Sequence, residues 1–322
     1  MKLKNIFFII CLSTSCLCAT ELSPITQRGE NIFLTADFLY WMAQLEGLAF
    51  ARSTTTKKVS GDWSPGFKVG IGSILPHDQW QVFFEYSRIH NHTIKHAGAS
   101  FYPLWNVGGL LGSAPNSFTT SSSYALWKQT FNSLDITLGK HFVPSSCTLF
   151  FPFLGLKGIY YHQYYNVGYH NVSPGGFLTS SSHLLMTTRQ RCWGVGILGG
   201  FNSEWLLIHD LRLFGDLAIA AVSSHFNNSR KDFLNYINTP TNQITVANAA
   251  SHCYTVKMML DFALGFKTDL WFKEDRYHFS MQLGWEMQLW LHQNQTIVLL
   301  DPSHNQGNLF FQGLTFKTRF DF

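Results

Sequence analysis

The last fifteen residues of the chain alternate between apolar and charged side chains over most of their length. On a β-strand every second side chain points the same way. One face of such a strand carries Leu314, Phe316, Thr318, Phe320 and Phe322, and the other carries Lys317, Arg319 and Asp321. A largely apolar outward face is stable where the solvent on that side is hydrocarbon. The segment therefore predicts a lipid-facing strand, with an edge strand of a soluble β-sandwich as the alternative.

The start of the chain has the layout of a secretory signal peptide. A positively charged start is followed by an apolar stretch from Ile6 to Leu12 and by small residues up to Thr20. This layout predicts a cleaved signal peptide over residues 1–19 and a single barrel domain over residues 20–322. The apolar stretch is too short to span a bilayer, and nothing later offers the roughly 20 consecutive apolar residues of a transmembrane helix.

The cysteines leave one alternative open and predict no metal site. A lipoprotein anchor at Cys16 or Cys18 is the alternative to simple cleavage. The expected mature chain keeps Cys147, Cys192 and Cys253, which show no C-x-x-C motif and no Cys/His ligand spacing. We therefore expect neither a metal nor a cofactor.

The composition fits a transmembrane barrel better than a soluble domain. Charged residues make up 13% and aromatic residues 16% of the chain, and the mean hydropathy is close to zero. Alternating lipid-facing and lumen-facing residues cancel in such an average, while aromatic girdles at the two membrane interfaces raise the aromatic content. The net charge of +4 is small, and no concentration of Lys and Arg suggests a nucleic-acid partner.

Ten stretches read as strands. They are Asn31 to Phe50, Phe67 to Leu75, Trp80 to His90, Ser123 to His141, Thr148 to Val167, Leu184 to Ser203, Leu211 to His225, His252 to Trp271, Tyr277 to Gln293 and Asn308 to Phe322. The clearest is Tyr277 to Leu291, whose odd-numbered positions after Tyr277 are all apolar. The weakest is Thr148 to Val167, because Phe150 to Phe153 do not alternate.

The connections between these stretches are alternately short and long. This pattern predicts an all-β, antiparallel, up-and-down transmembrane barrel with short periplasmic turns and long external loops. An even number of strands closes the sheet without an unpaired edge in the bilayer. We expect ten strands, or twelve if the long connection Asn91 to Ser122 contains a hairpin.

Several sequence stretches, in order along the chain, resemble one family. They are Ala36 to Trp41, Glu46 to Ala51, Pro65 to Gly72, Leu75 to Trp80, Leu283 to Glu286, Asn294-Gln295 and Gly307 to Phe322. The expected mature chain resembles the pore-forming outer-membrane proteins typified by the Legionella major outer membrane protein, which also occur in environmental relatives of chlamydiae. The resemblance implies an outer-membrane barrel with porin-like permeability and without catalytic residues. The terminal Phe322 resembles the signal that the barrel-assembly machinery recognises, so this machinery and outer-membrane lipid are the expected partners.

Strand alternation predicts which charged side chains face the lumen. Seven are acidic and seven are basic: Asp37, Glu85, Asp135, Asp216, Asp261, Glu286 and Asp321, and Lys68, Lys157, Arg212, Lys257, Lys267, Lys317 and Arg319. Balanced charge has two interpretations, an aqueous ion-conducting pore or a set of ion pairs that fills the barrel. About eight strands give a filled barrel and about sixteen an open channel, so ten or twelve lie between.

These observations predict a non-enzymatic pore for passive diffusion of small solutes or ions. The alternative is a structural or adhesive barrel with a closed lumen and functional surface loops, and homo-oligomerisation stays open. A barrel hydrolase is a third class, because His77-Asp78 and His209-Asp210 can suit general base chemistry. Both pairs fall in predicted periplasmic turns, away from external substrates.

Histidines concentrate at the external ends of the predicted strands. They are His90, His92, His96, His162, His170, His225, His252, His292 and His304. Such clustering suits pH sensing or metal binding, but interfacial and loop histidines in a lysine-poor chain are the simpler interpretation.

Overall fold

The computed structural model describes residues 32–75, 78–107, 110–111, 118–173, 178, 181–208, 211–236, 243–272, 277–296 and 306–322. The predicted signal peptide, His77, His209, Asp210 and His304 lie outside these residues. No helix in the described part of the chain is long and apolar enough to cross a membrane.

Fourteen strands follow one another along the described chain. They are β1 (Ile32–Leu45), β2 (Ala49–Arg52), β3 (Thr56–Lys58), β4 (Trp63–Ile74), β5 (Trp80–Ala97), β6 (Tyr102–Pro103), β7 (Ser122–Lys140), β8 (Phe142–Ser145), β9 (Thr148–Val172), β10 (Ser182–Ile208), β11 (Leu211–Tyr236), β12 (Gln243–Phe272), β13 (Tyr277–Asn294) and β14 (Gly307–Asp321).

Ten of these strands close into an antiparallel barrel. Its order is β1, β4, β5, β7, β9, β10, β11, β12, β13 and β14, and β14 pairs back with β1 from Phe33↔Asp321 to Leu45↔Leu309. Closure satisfies the backbone hydrogen bonds that an open edge would leave exposed to lipid. The predicted ten-strand barrel is therefore confirmed, and the twelve-strand alternative is wrong.

The barrel has a turn end and a loop end. At the turn end lie Ile32, Phe322 and the short connections that follow β4, β7, β10 and β12. The loop end carries the connections that follow β1, β5, β9, β11 and β13. Strands β9 to β12 contain 25 to 30 residues each, whereas β1 and β14 contain 14 and 15. At about 3.3 Å per residue, the long strands extend well beyond the short ones at the loop end.

Alternation of side chains is confirmed on the clearest predicted strand. In β13, Leu283 and Trp285 are 52% and 40% exposed, while Ser280 and Glu286, at even-numbered positions of the same strand, are buried. The terminal strand β14 repeats the pattern, with Leu314, Phe316 and Phe320 exposed. Outward side chains of this kind form an apolar band around the turn-end part of the barrel.

Several predicted boundaries differ from the observed strands, and two differences change the architecture. The stretch Asn31 to Phe50 is not one strand, because β1 ends at Leu45 and Gly47 adopts a φ of 86° in the turn that follows. Such a positive φ suits glycine, and it directs β2 away from the wall into a small sheet of order β3, β2, β6. The predicted loop Phe226 to Ser251 is mostly strand, because β11 continues to Tyr236 and β12 starts at Gln243.

Candidate functional site: a charged cavity beneath a filled interior

A cavity of about 220 Å³ lies inside the turn-end part of the barrel. Eleven of the predicted lumen residues line it: Asp37, Lys68, Glu85, Asp135, Lys157, Asp216, Asp261, Lys267, Glu286, Lys317 and Arg319. Glu204 joins them, so seven acidic and five basic side chains, histidine aside, surround this space. We call it the charged cavity. The lining of the charged cavity thus has two more acidic than basic side chains.

Ion pairs connect the cavity walls. Lys157 lies 2.6 Å from Asp135 on the neighbouring strand. Lys68 of β4 contacts Glu286 of β13, three strands away around the wall. Lys317 lies less tightly, 3.9 Å from Asp37 and 3.8 Å from Glu85. The second oxygens of Asp37 and Asp135 have no protein partner among the described residues, and the cavity has room for water that can bind them.

A second network of ion pairs lies at the turn end, and sequence reasoning found only part of it. Arg212 lies 3.0 Å from Glu204 and 2.9 Å from Asp269. His278 bridges Asp269 and Asp321 at 3.0 Å and 2.6 Å. Lys267 also binds Glu204 at 2.7 Å, and Arg319 binds Asp321 at 2.6 Å.

Three members of this network were missed by the sequence prediction. Glu204 was placed in a turn, whereas β10 continues to Ile208 and turns Glu204 inward. Asp269 shares the odd-numbered parity of Lys267 on β12, so alternation could have found it. His278 shares the parity of Ser280 and Glu286 on β13, but its role depends on contacts with two other strands.

An aromatic layer fills the barrel above the charged cavity. Its members are Trp41, Phe131, Tyr161, Trp290 and Phe311, all at most 3% exposed. The ring of Phe131 lies 5.2 Å from that of Trp290 and 5.3 Å from that of Phe311, measured between centroids. Strands β7 and β13, which carry Phe131 and Trp290, are five positions apart in the ten-strand ring and thus opposite each other. The contact between them shows that side chains span the lumen.

The layer is joined to the cavity through a chain of hydrogen bonds. The indole N–H of Trp41 donates to Thr315 Oγ1 at 3.0 Å, and the Thr315 hydroxyl donates to Glu286 Oε2 at 3.0 Å. The Lys68 ammonium lies 5.3 Å from the centre of the Trp41 ring. The charged groups therefore support the underside of the aromatic layer.

Buried amides fill the lumen next to the aromatic layer on the loop-end side. Gln190 donates to the carbonyl of Gln293 at 2.8 Å and accepts from the N–H of Gln295 at 2.8 Å. Asn294 donates to the carbonyl of Glu46 at 2.8 Å. Gln293, Asn294 and Gln295 are thus held to β10 and to the residue that follows β1.

The small sheet is held to the interior at the loop end. The Tyr165 and Tyr169 hydroxyls donate to the carbonyls of Leu48 and Phe50 at 3.1 Å and 2.6 Å, and the Trp105 indole donates to Ala49 at 2.7 Å. Burial raises the pKa of Tyr165 and Tyr169, so both hydroxyls stay protonated donors. Together, the aromatic layer, the buried amides and this sheet form what we call the interior plug.

The remaining predicted lumen residues lie inside the barrel but outside the charged cavity. Arg212 and Asp321 belong to the turn-end network. Lys257 is 1% exposed, donates to the carbonyl of His292 at 2.6 Å and lies 5.0 Å from the centre of the Phe226 ring. It is therefore a component of the interior plug and not a cavity wall residue.

The residues singled out for other chemistry give no assembled site. Asp78 is exposed, and its predicted partner His77 lies outside the described residues, as does the pair His209-Asp210. No group of three or more metal-ligating side chains occurs in the described ranges. Cys192 and Cys253 are free.

Comparison with solved structures gives similar proteins of low sequence identity. The structure is similar to the outer membrane protease OmpT from Escherichia coli, with 11% identity over 92% of this chain and 99% of that one and a TM-score of 0.42. It is also similar to a major outer membrane protein from Thermus thermophilus, with 12% identity over 91% and 98% of the chains and a TM-score of 0.29. It is similar, too, to the Pseudomonas putida toluene transporter TodX, with 8% identity over 96% of this chain and 93% of that one and a TM-score of 0.29.

Sequence comparison identifies the family. No curated protein matches the chain. The family described as the Legionella pneumophila major outer membrane protein precursor matches residues 27–322, which covers every strand of the barrel. The chain therefore belongs to the Legionella major outer membrane protein family and is an outer-membrane β-barrel.

Proposed function

We propose that this protein is an outer-membrane barrel whose lumen is closed to passive diffusion. Its functional surface is the part of β9 to β12 that reaches beyond the short strands at the loop end, which we call the extension. In outer-membrane barrels short turns lie in the periplasm and longer loops lie outside, so the charged cavity faces the periplasm and the interior plug faces out. The contact between Phe131 and Trp290 carries the proposal, because the two side chains reach each other from opposite walls.

The energetics of the aromatic layer favour a lumen that stays closed. Phe131 and Trp290 are 3% and 0% exposed. Losing a buried Phe or Trp side chain from its packing typically costs about 3–5 kcal/mol. Opening a path requires that at least two such side chains leave their neighbours, and the buried amides must also exchange their partners.

A passive pore is the second candidate. It is favoured by the charged cavity, whose seven acidic and five basic side chains line the turn-end part of the lumen, where ions could enter. It is also favoured by the porin-like permeability that the family resemblance implies. In this case the acidic excess would make the pore prefer cations, because charge near a constriction acts through a low-dielectric wall.

Planar-bilayer conductance of the refolded full chain separates the two functions. We expect no conductance steps from the wild type. The double variant Phe131→Ala/Trp290→Ala removes the contact across the lumen and should produce steps. The matched control Thr130→Ala/Leu291→Ala truncates neighbouring outward side chains on the same two strands and should remain silent.

The outcomes differ for each candidate. Reproducible steps from the wild type, with cation preference in a salt gradient, would support the pore and contradict a closed lumen. Steps from the control variant as often as from Phe131→Ala/Trp290→Ala would show that the aromatic layer is not the barrier. Folding of each variant is checked first by its heat-modifiable mobility in SDS gels.

A further inference from the structure

The outward surface of the long strands changes character along their length. Tyr160, Trp193 and Tyr254 lie side by side on β9, β10 and β12, in one row across the sheet that includes His225 of β11. The three aromatic side chains are 50%, 55% and 77% exposed. Exposed Tyr and Trp in such a row mark the interface between hydrocarbon and water. We call this row the girdle.

Two rows immediately beyond the girdle are basic. The first row runs from His90 through Thr130, His162 and Arg191 to Asn227. The second runs from His92 through Lys128, Tyr164 and Arg189 to Ser229. Residues paired across antiparallel strands share a face, so all of these side chains point outward, next to the external membrane surface. We call these two rows the basic face.

The cations of the basic face are exposed and lie close together. Lys128, Arg189 and Arg191 are exposed, and Arg189 lies 5.6 Å from the centre of the Tyr164 ring, measured from its guanidinium carbon. Arg189 and Arg191 are two residues apart on β10, so their Cα atoms are separated by about 7 Å. Lys128 lies two strands from Arg189, at about 10 Å.

No carboxylate compensates this charge on the two rows, which contain neither Asp nor Glu. Two carboxylates toward the loop end are engaged elsewhere, since Asp62 binds Lys95 at 2.9 Å and Asp232 faces inward and binds Arg230. Besides partial burial, Arg191 and Arg189 lower the pKa of His162. The surroundings of His162 are therefore positive, and like charges at this spacing repel one another unless an anion lies between them.

The basic face is confined to one side of the barrel. On the short strands β1 and β14, the outward residues near the loop end are Gln44 and Asn308. A general need for solubility would place charge on every side. The position of the cations, directly above an aromatic girdle, instead matches the level at which lipid headgroups lie.

We propose that the basic face binds the phosphate groups of outer-leaflet glycolipid at the external surface of the membrane. Arg189 and Arg191 present planar guanidinium groups that can bind phosphate oxygens in pairs, and Lys128 adds a further positive charge. The girdle holds the acyl chains beside Trp193 and Tyr254. This site is independent of whether the lumen is open or closed.

The test uses the refolded full chain in neutral detergent micelles, titrated with diphosphoryl lipid A and observed by native mass spectrometry. A basic residue near a membrane surface contributes about 1 kcal/mol of attraction, or about fivefold in affinity. Arg189→Gln/Arg191→Gln should therefore weaken binding about thirtyfold, and Lys128→Gln about fivefold. The matched control Lys57→Gln/Lys58→Gln removes two exposed cations from β3, in the small sheet, and should change affinity less than twofold.

Two further ligands identify what is bound. Lipid A from which both phosphates have been removed should bind the wild type no better than lipid A binds Arg189→Gln/Arg191→Gln. Inorganic phosphate at millimolar concentration should not displace lipid A. Equal affinity for the two forms of lipid A, equal losses in the β10 and β3 variants, or displacement by free phosphate would each overturn the proposal.

Discussion

The two ends of the long strands have opposite polarity. On the turn-end side of the girdle, β11 carries Leu217 and Ile219 outward, both exposed, and Asp216 inward to the charged cavity. On the loop-end side the same strand carries exposed Asn227 outward and fully buried Phe226 inward. The same alternating strand thus presents apolar side chains outward on one side of the girdle and polar side chains outward on the other. Where lipid covers the outside, the inside holds ion pairs around a cavity. Where water covers the outside, the inside is filled by packed aromatic side chains and hydrogen-bonded polar groups.

The difference explains why the cavity and the plug occur where they do. A polar interior in the membrane part does not pack to uniform density, because charged side chains need partners or water. The interior of the extension, which is rich in aromatic side chains, packs closely like the core of a soluble protein. The buried aromatic residues Trp127, Tyr161, Tyr165 and Phe226 accordingly lie toward the loop end. Closure of the lumen is in this view a consequence of building a stable extension above the membrane.

The largest expected effect comes from breaking an ion pair in the extension. Arg230 binds both oxygens of Asp232, at 2.6 Å and 2.5 Å, and both residues are 1% exposed. Asp232→Asn leaves a buried guanidinium without its counter-charge, which should cost about 3–5 kcal/mol. Asp135→Asn, beside the charged cavity, should cost about 1–2 kcal/mol, because the Asp135 side chain is 18% exposed and water in the cavity can replace part of the lost interaction. Urea unfolding of the two variants in lipid vesicles, followed by tryptophan fluorescence, compares them.

A double replacement serves as the control for this comparison. Arg230→Met/Asp232→Leu removes both charges and should recover most of the stability that Asp232→Asn loses, since apolar side chains of similar volume often replace a buried pair without cost. Equal losses for Asp232→Asn and Asp135→Asn would show that the two interiors do not differ in access to water.

A smaller effect is expected where a charge enters the apolar band. Leu283→Arg places a cation against hydrocarbon and should cost about 2–4 kcal/mol near the midplane. Gln282→Arg, one residue earlier, lines the charged cavity and should cost little. Ser229→Arg points outward from the extension and should also cost little. Folding yield and urea stability of the three variants measure this, and a loss at Ser229 equal to that at Leu283 would place the membrane boundary beyond the girdle.

The wall could be predicted from the sequence because its signal is local. In β13 as far as Trp290, and in β14, lipid-facing and cavity-facing residues alternate, so parity alone placed Glu286 and Lys317 inside and Leu283 outside. The same rule failed for residues 226–251, which were predicted as a loop. There the outward residues become polar, as Asn227 and Lys231 do, so a search for an apolar outward face loses the strand.

The filled interior could not be predicted in this way. Alternation states that Phe131 and Trp290 point inward, but it does not state that the two side chains meet. That depends on the strand number, the register and the tilt of the wall, which together set the diameter of the lumen. The basic face was missed for a similar reason, since Lys128 and Arg189 become neighbours only through the pairing of β7, β9 and β10.

The smallest expected effect concerns pH at the loop end. His170 Nδ1 lies 3.1 Å from His183 Nδ1, across the pair β9 and β10. Partial burial and the neighbouring His183 lower the pKa of His170 from its ordinary value of 6.5. The unfolded chain therefore binds a proton at this residue more readily than the folded chain does. Its contribution to stability is fully present above pH 6.5 and is lost as the pH falls through the lowered pKa. Acidification should thus loosen the loop end of β9 and β10 while the turn end keeps its structure.

Hydrogen exchange at pH 7 and pH 5 measures both ends, and an NMR titration of the His170 ring measures its pKa. In His183→Gln the pKa of His170 should rise toward 6.5, whereas His92→Gln, an exposed histidine on β5, should leave it unchanged. A wild-type pKa at or above 6.5 would show that His183 does not oppose the protonation of His170, and the pH dependence would then have to arise elsewhere in the extension.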